Sequence, residues 1–185
     1  FQVKGTRVGI GIFDLCSRQS GNSISVKRKK ELTGRSWPNG CHVAEVEIDA
    51  ETGEVRLDRY VSVDDVGNTV NPMIVHGQIQ GGIASGLGQA VLERTEFDAS
   101  GQLLSGSYMD YALPRADDMP SLSGSLFEKA PCLTNPLGAK GTGEIGAVAG
   151  PPAIVHAVID ALAEKGITQV DMPLQPQKIW ECLNR

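Results

Sequence analysis

From His42 the chain alternates. His42, Ala44, Val46 and Ile48 fall on one side of an extended backbone and Val43, Glu45, Glu47 and Asp49 on the other, the two-residue period of a half-exposed β-strand. The run DAETGE supplies a turn, and Val55, Leu57, Val61 and Val63 continue on a second strand, which together predict a β-hairpin. Asn71-Pro72 then suits the cap and first position of a helix over roughly 72–93, with glycines at 77, 81, 82, 86 and 88. Each interior glycine costs about 1 kcal/mol relative to alanine. So many of them imply a close neighbour: another helix crossing on small residues, or a bound cofactor.

Further on, Leu122–Phe127 reads as a strand. A second helix is predicted to open at Pro151-Pro152, where a missing N–H costs nothing. Its core face would be Ile154, Val155, Val158, Ile159 and Leu162, and Lys165-Gly166 would stop it. A short strand over Ile167–Val170 and a helical turn or two over Lys178–Leu183 complete the C-terminus. Before the hairpin, residues 2–15 suggest a short strand and turn, and 17–40 a polar excursion ending in Trp37-Pro38-Asn39-Gly40. The pattern describes an α+β fold of β-hairpins packed against a few helices, one domain over residues 1–185 or two small lobes sharing a core.

A hydrophobic content of 41% is ample for such a core, and a net charge of −5 argues against a nucleic-acid surface. The basic run Lys27–Lys30 lacks interleaved aromatics and reads as a solvated face. The four cysteines are far apart, with no C-x-x-C pair to hold zinc or an iron–sulfur cluster. Free thiols fit a reducing, cytoplasmic setting. No apolar run approaches the roughly 20 residues of a bilayer span, so no membrane partner is expected. The start at Phe1, inside what reads as a strand, suggests a fragment or one chain of a split subunit. His42 has no second ligand at metal spacing and reads as a strand histidine; Asp64 and Asp65, at a strand end, suit hydrogen bonds to loop backbone better than catalysis.

The candidate chemistry lies between Thr134 and Leu162, where Gly138, Gly141, Gly143, Gly146 and Gly150 surround one acid, Glu144. Gly141, Gly143 and Gly146 spell G-x-G-x-x-G. That dinucleotide fingerprint requires an apolar strand before it, whereas PCLTNPLGAK precedes it here and Glu144 would face a pyrophosphate. The Walker pattern is absent. A flexible loop with a solvated Glu144 is the plain alternative.

GAKGTGE followed by Pro-Pro resembles a segment near the C-terminus of the molybdenum-binding large subunit in the xanthine dehydrogenase, aldehyde oxidase and carbon monoxide dehydrogenase family. Asp64-Asp65-Val66-Gly67 with Asn71-Pro72, GQIQGGIASGLGQAVLE at 77–93 and YMDYALPRADDMP at 108–120 follow the same family in order and spacing. Many members have Gln where Ser85 stands. The resemblance covers about Trp37 to the end and implies the C-terminal molybdopterin-binding region of a molybdenum hydroxylase. Such an enzyme oxidises an aldehyde, purine or other N-heterocycle with water as the oxygen source.

The resemblance also implies a molybdenum–molybdopterin cofactor, in its cytosine dinucleotide form, shared with the remainder of the subunit. Electrons would leave through iron–sulfur and FAD centres on partner subunits or domains. Glu144 aligns with the family's general base, and an enclosed, weakly polar loop would suit that task. Gln78, in the GQ-x-x-G-G motif with Gly77 and Gly81, would lie near the pterin. The amides of Gly141, Thr142 and Gly143 could hold an oxygen on the metal or phosphate groups. Lys140 would add charge there or pair with Glu144. The pterin sulfurs bind the metal in this family, so no protein ligand is expected.

Overall fold

The protein is described by a computed structural model covering residues 1–31 and 34–184, so residues 32 and 33 of the expected 17–40 excursion lie outside the described residues. It divides into two compact units, Phe1–Leu32 and Thr33–Arg185. The first holds a turn closed by a single Gln2–Gly9 bridge and a short helix α1 (Ile12–Ser17). The strand expected over residues 2–15 is therefore only a bridge, because the turn over 4–7 and α1 from Ile12 take up most of the segment.

In the second unit β1 (Asn39–Ile48) and β2 (Val55–Asp65) form the expected antiparallel hairpin, and β3 (Leu122–Leu126) joins β2 in parallel, giving the order β1-β2-β3. His42, Ala44, Val46 and Ile48 are the more buried positions of β1, as the alternation requires. α2 (Pro72–Leu87) is capped by Asn71, whose side chain accepts from the amide of Ile74 at 3.3 Å, and it continues into a π-helical turn over Gly88–Leu92. The fold is α+β as expected, with one hairpin among the described residues. Residues 167–170 are not a strand. Val170 is buried there as part of an irregular connection to α4 (Pro176–Leu183), anchored where the Leu174 amide reaches the Ala90 carbonyl at 2.7 Å.

The largest correction concerns α3, which runs from Ile145 to Leu162 with Pro151 and Pro152 inside it rather than at its start. Interior prolines remove helical hydrogen bonds and cost about 3 kcal/mol each when exposed in a host helix. The reason α3 tolerates them is tertiary. It packs against α2 and β1, and Ile154, Val158 and Leu162 are buried beside Ile79, Ile83 and Leu87. Glycines set the crossing. A Cβ built on Gly82 would lie 2.9 Å from the Cα of Gly146, and one on Gly86 would lie 3.1 Å from the Cα of Gly150. The two helices thus meet on matching Gly-x-x-x-Gly edges, 82/86 and 146/150. Counted with its last turn, Ile145–Lys165 is long and apolar enough to cross a membrane by length and composition, contrary to the expectation that no run approaches that length; here it is the central core helix.

Candidate functional site

The early start of α3 moves Glu144 from the middle of a loop to the N-cap of a helix. Its carbonyl accepts from the Val148 amide at 2.9 Å, while its side chain makes no capping bond. The carboxylate is exposed. The enclosure expected around it is not supplied by these residues. It opens on a cleft of about 390 Å³ lined by Trp37, Pro38, Asn39, Gly40 and His42 on the β1 side and by Ile145, Val148 and Ala149 on the α3 side.

Gln78 and the glycine loop converge. A Cβ on Gly143 would lie 3.5 Å from Gln78 Nε2, whereas one on Gly77, Gly81 or Gly141 would meet nothing within 4 Å. The glycines of α2 therefore divide by face. Gly82 and Gly86 answer to α3; Gly77 and Gly81 are exposed, as is Gln78, which reaches Gly143. Of the two explanations the sequence left open for the glycine-rich helix, helix packing accounts for Gly82 and Gly86, while Gly88 sits against Glu93 and Pro114.

Lys140 is placed elsewhere. Its ammonium donates to Asp65 Oδ2 at 2.6 Å, with both side chains largely buried, so it neither pairs with Glu144 nor presents a free charge beside it. Burial pushes the Asp65 carboxyl up, but hydrogen bonds from Lys140 and the Gly67 amide, the Lys140 charge and Asn39 outweigh it and hold the carboxyl below its ordinary value. The dinucleotide alternative also loses its context. β3 ends at Leu126 and no strand runs into Gly141, so the fingerprint lacks the strand that should aim it.

The structure adds a buried polar chain that sequence reasoning passed over. Tyr60 and His42 meet at 2.8 Å through the phenol oxygen and Nδ1, and His42 Nε2 lies 2.9 Å from Asp64 Oδ1. Strand register explains it. His42 faces Ser62 directly, so Tyr60 and Asp64 are its diagonal neighbours on the inner side of the hairpin. Gly40 is required beside them, since a Cβ there would lie 2.5 Å from Asp64 Oδ1. Burial, then the Asp64 charge, raises the Tyr60 phenol well above its ordinary value. It remains a donor to His42 Nδ1, which fixes the imidazole proton on Nε2, facing Asp64. Tyr60→Phe would leave Nδ1 buried without a donor, and the expected loss is about 1–3 kcal/mol of stability, read from the urea midpoint; an unchanged midpoint would show that this chain contributes nothing to the hairpin.

No three His, Cys, Asp or Glu side chains converge in a metal-binding arrangement among the described residues. The four cysteines are free thiols.

A family model described as "Molybdopterin cofactor-binding domain" matches residues 15–120. The carbon monoxide dehydrogenase large chain of Hydrogenophaga pseudoflava is 38% identical over 148 residues, which cover 80% of this chain and 18% of that one. The nicotine 6-hydroxylase large subunit of Paenarthrobacter nicotinovorans is 38% identical over 143 residues, covering 77% and 17%. Among solved structures, quinoline 2-oxidoreductase from Pseudomonas putida 86 superposes with a TM-score of 0.77 at 40% identity, covering 80% of this chain and 19% of that one. The chain spans about a fifth of the length of these relatives.

Proposed function

The chain belongs to the molybdopterin-binding large subunits of the molybdenum hydroxylases, and on that premise we propose that it is the C-terminal part, over residues 1–185, of a catalytic subunit that hydroxylates an aldehyde, purine or other N-heterocycle. The observation that carries this reading is the exposed face where Gln78 of α2 meets Gly143 beside Glu144, with Gly77, Gly81 and Gly141 likewise exposed. Three of those glycines have open space where a side chain would stand, so a bulky group can lie directly on the backbone. The face fits a pterin that brings its own metal-binding sulfurs, because it offers an amide side chain and main-chain groups rather than a ligand set.

When bound, the molybdenum cofactor supplies the two-electron oxidation, with water as the source of oxygen. Gln78, whose amide both donates and accepts, would help hold the pterin. The amides of Gly141 to Gly143 would hold an oxygen on the metal or its phosphate groups. Lys140 serves the face through its main chain and its hold on the loop. Glu144 takes the proton released as the oxygen of water passes to the substrate carbon, the task of a general base. The cytosine dinucleotide form of the cofactor and the iron–sulfur and FAD centres on partner subunits or domains complete the proposal, with the remainder of the subunit closing the other side of the cleft.

The test is the molybdenum and nucleotide content of the complete complex. Stoichiometric molybdenum with a cytosine nucleotide is expected, and Gly81→Leu should lower the molybdenum severalfold in a complex that still assembles. A purified complex free of molybdenum would favour a non-catalytic member of the same fold. Full metal in Gly81→Leu would remove α2 from the cofactor face.

A further inference from the structure

The stretch that leads to Glu144 is fixed up to Lys140, by Cys132 and Asn135 of its own loop, whose amide and Nδ2 reach the Gly138 and Ala139 carbonyls at 2.8 Å, and by residues 65–68. Residues 137–140 run against 65–68. The Asn68 amide donates to the Gly138 carbonyl at 3.0 Å, Asn68 Nδ2 to the Leu137 carbonyl at 2.8 Å, and the Lys140 amide to the Val66 carbonyl at 2.7 Å. Gly67 and Ala139 form a bridge between them. Asp65 then ties both strands of this crossing, accepting from the Gly67 amide at 2.9 Å and from Lys140 Nζ at 2.6 Å. Past Lys140 the anchoring thins out. Among the described residues, the only main-chain bond closing the loop is from the Ile145 amide to the Thr142 carbonyl, at 3.3 Å, until α3 takes over.

The last fixed point before Glu144 is thus the Asp65–Lys140 ion pair. Only 11% of the Lys140 side chain and 12% of the Asp65 side chain are exposed, so solvent and salt screen the pair far less than a surface bridge. The neighbouring acid, Asp64, turns to the opposite face of β2 and holds His42, which lines the cleft. One strand end therefore braces the β1 wall through Asp64 and the glycine loop through Asp65.

We propose that Asp65 and Lys140 are a positioning pair, which holds Gly143 and Glu144 opposite Gln78 and touches neither cofactor nor substrate. The proposal rests on Glu144 being the base, as argued above. A base displaced by about 1 Å can cost about 100-fold in rate, and that is the scale of effect a loosened loop would produce.

The experiment uses the assembled holoenzyme with Asp65→Asn, Lys140→Met, the double variant and Lys140→Arg. Its readouts are kcat, KM, molybdenum content and amide hydrogen exchange of residues 137–146. Both single variants should lose about 10- to 100-fold in kcat at nearly unchanged KM and metal content, and both should exchange faster at 141–146. The double variant should be no worse than the poorer single, because one shared interaction is lost. Lys140→Arg, which can still meet a carboxylate, should recover most of the rate.

Should either single variant fail to fold around an unpaired buried charge, the double, which leaves none, decides the matter. Loss of molybdenum in Lys140→Met but not in Asp65→Asn would overturn the proposal in favour of direct cofactor contact by Lys140. Parent-like exchange and kcat in the double would also overturn it. Glu144→Gln runs in parallel. If that variant stays active, the base assignment fails by itself, while the exchange readout still reports on the pair.

Discussion

Gly146→Ala should destabilise the protein, although alanine is the better helix former. The methyl group would have to occupy a position 2.5 Å from the Ile83 amide nitrogen and 2.7 Å from the Gly82 carbonyl carbon. Both are main-chain atoms of a packed helix, so no side-chain rotation can make room. Overpacking of this kind costs about 1–3 kcal/mol or more, against a propensity gain of at most about 1 kcal/mol. Gly146→Leu should be worse, driving α2 and α3 apart along the edge on which the core is built. Gly81→Ala is the matched control: its Cβ meets nothing within 4 Å, so the propensity gain stands alone and the melting temperature should hold or rise slightly. Equal melting temperatures for Gly146→Ala and the parent would mean that the helices do not cross on these glycines.

This contrast also marks where the sequence was legible. Period-two alternation located the hairpin because each side chain of β1 sees one environment, core or solvent. The glycines of α2 signalled close approach, yet a list of positions could not say which face met which neighbour; that depends on where α3 begins. Pro151 and Pro152 hid its start. Local propensity places prolines in a first turn, and the outcome here is set by the packing of Gly150 and Pro151 against Gly86 of α2, which no local rule contains.

The site was legible in a similar, partial way. Motif resemblance pointed to Glu144, Gln78 and the glycines, of which the structure brings Gln78 and Gly143 together beside Glu144. It left Lys140 without its true partner, because Asp65 is 75 positions away and only the folded crossing of 65–68 with 137–140 joins them. The Tyr60–His42–Asp64 chain was within reach of a strand-pairing argument. Once the hairpin register pairs His42 with Ser62, the residues two before and two after Ser62 on β2, Tyr60 and Asp64, must flank His42 on the buried side.

Glu144→Gln should leave the enzyme folded and loaded with cofactor but slow. In the structure the Glu144 carboxylate is exposed, makes no capping bond and, among the described residues, takes part in no ion pair. The helix start depends on its carbonyl, which accepts from Val148, and glutamine keeps that carbonyl. The amide also matches the carboxylate in size and keeps a hydrogen-bond acceptor toward the cleft. What it lacks is a basic oxygen. If Glu144 accepts the proton released from water, turnover should fall by about 10²–10⁴-fold, the usual worth of a general base. Binding of a substrate analogue should change little, since neither the Trp37 wall nor the Val148 wall of the cleft is altered. The comparison must be made between complexes of equal molybdenum occupancy, so that lost metal is not counted as lost chemistry. Activity within about threefold of the parent, far below the loss expected of a missing base, would make Glu144 a helix cap and nothing more, and the proton acceptor would have to come from the part of the subunit that closes the cleft.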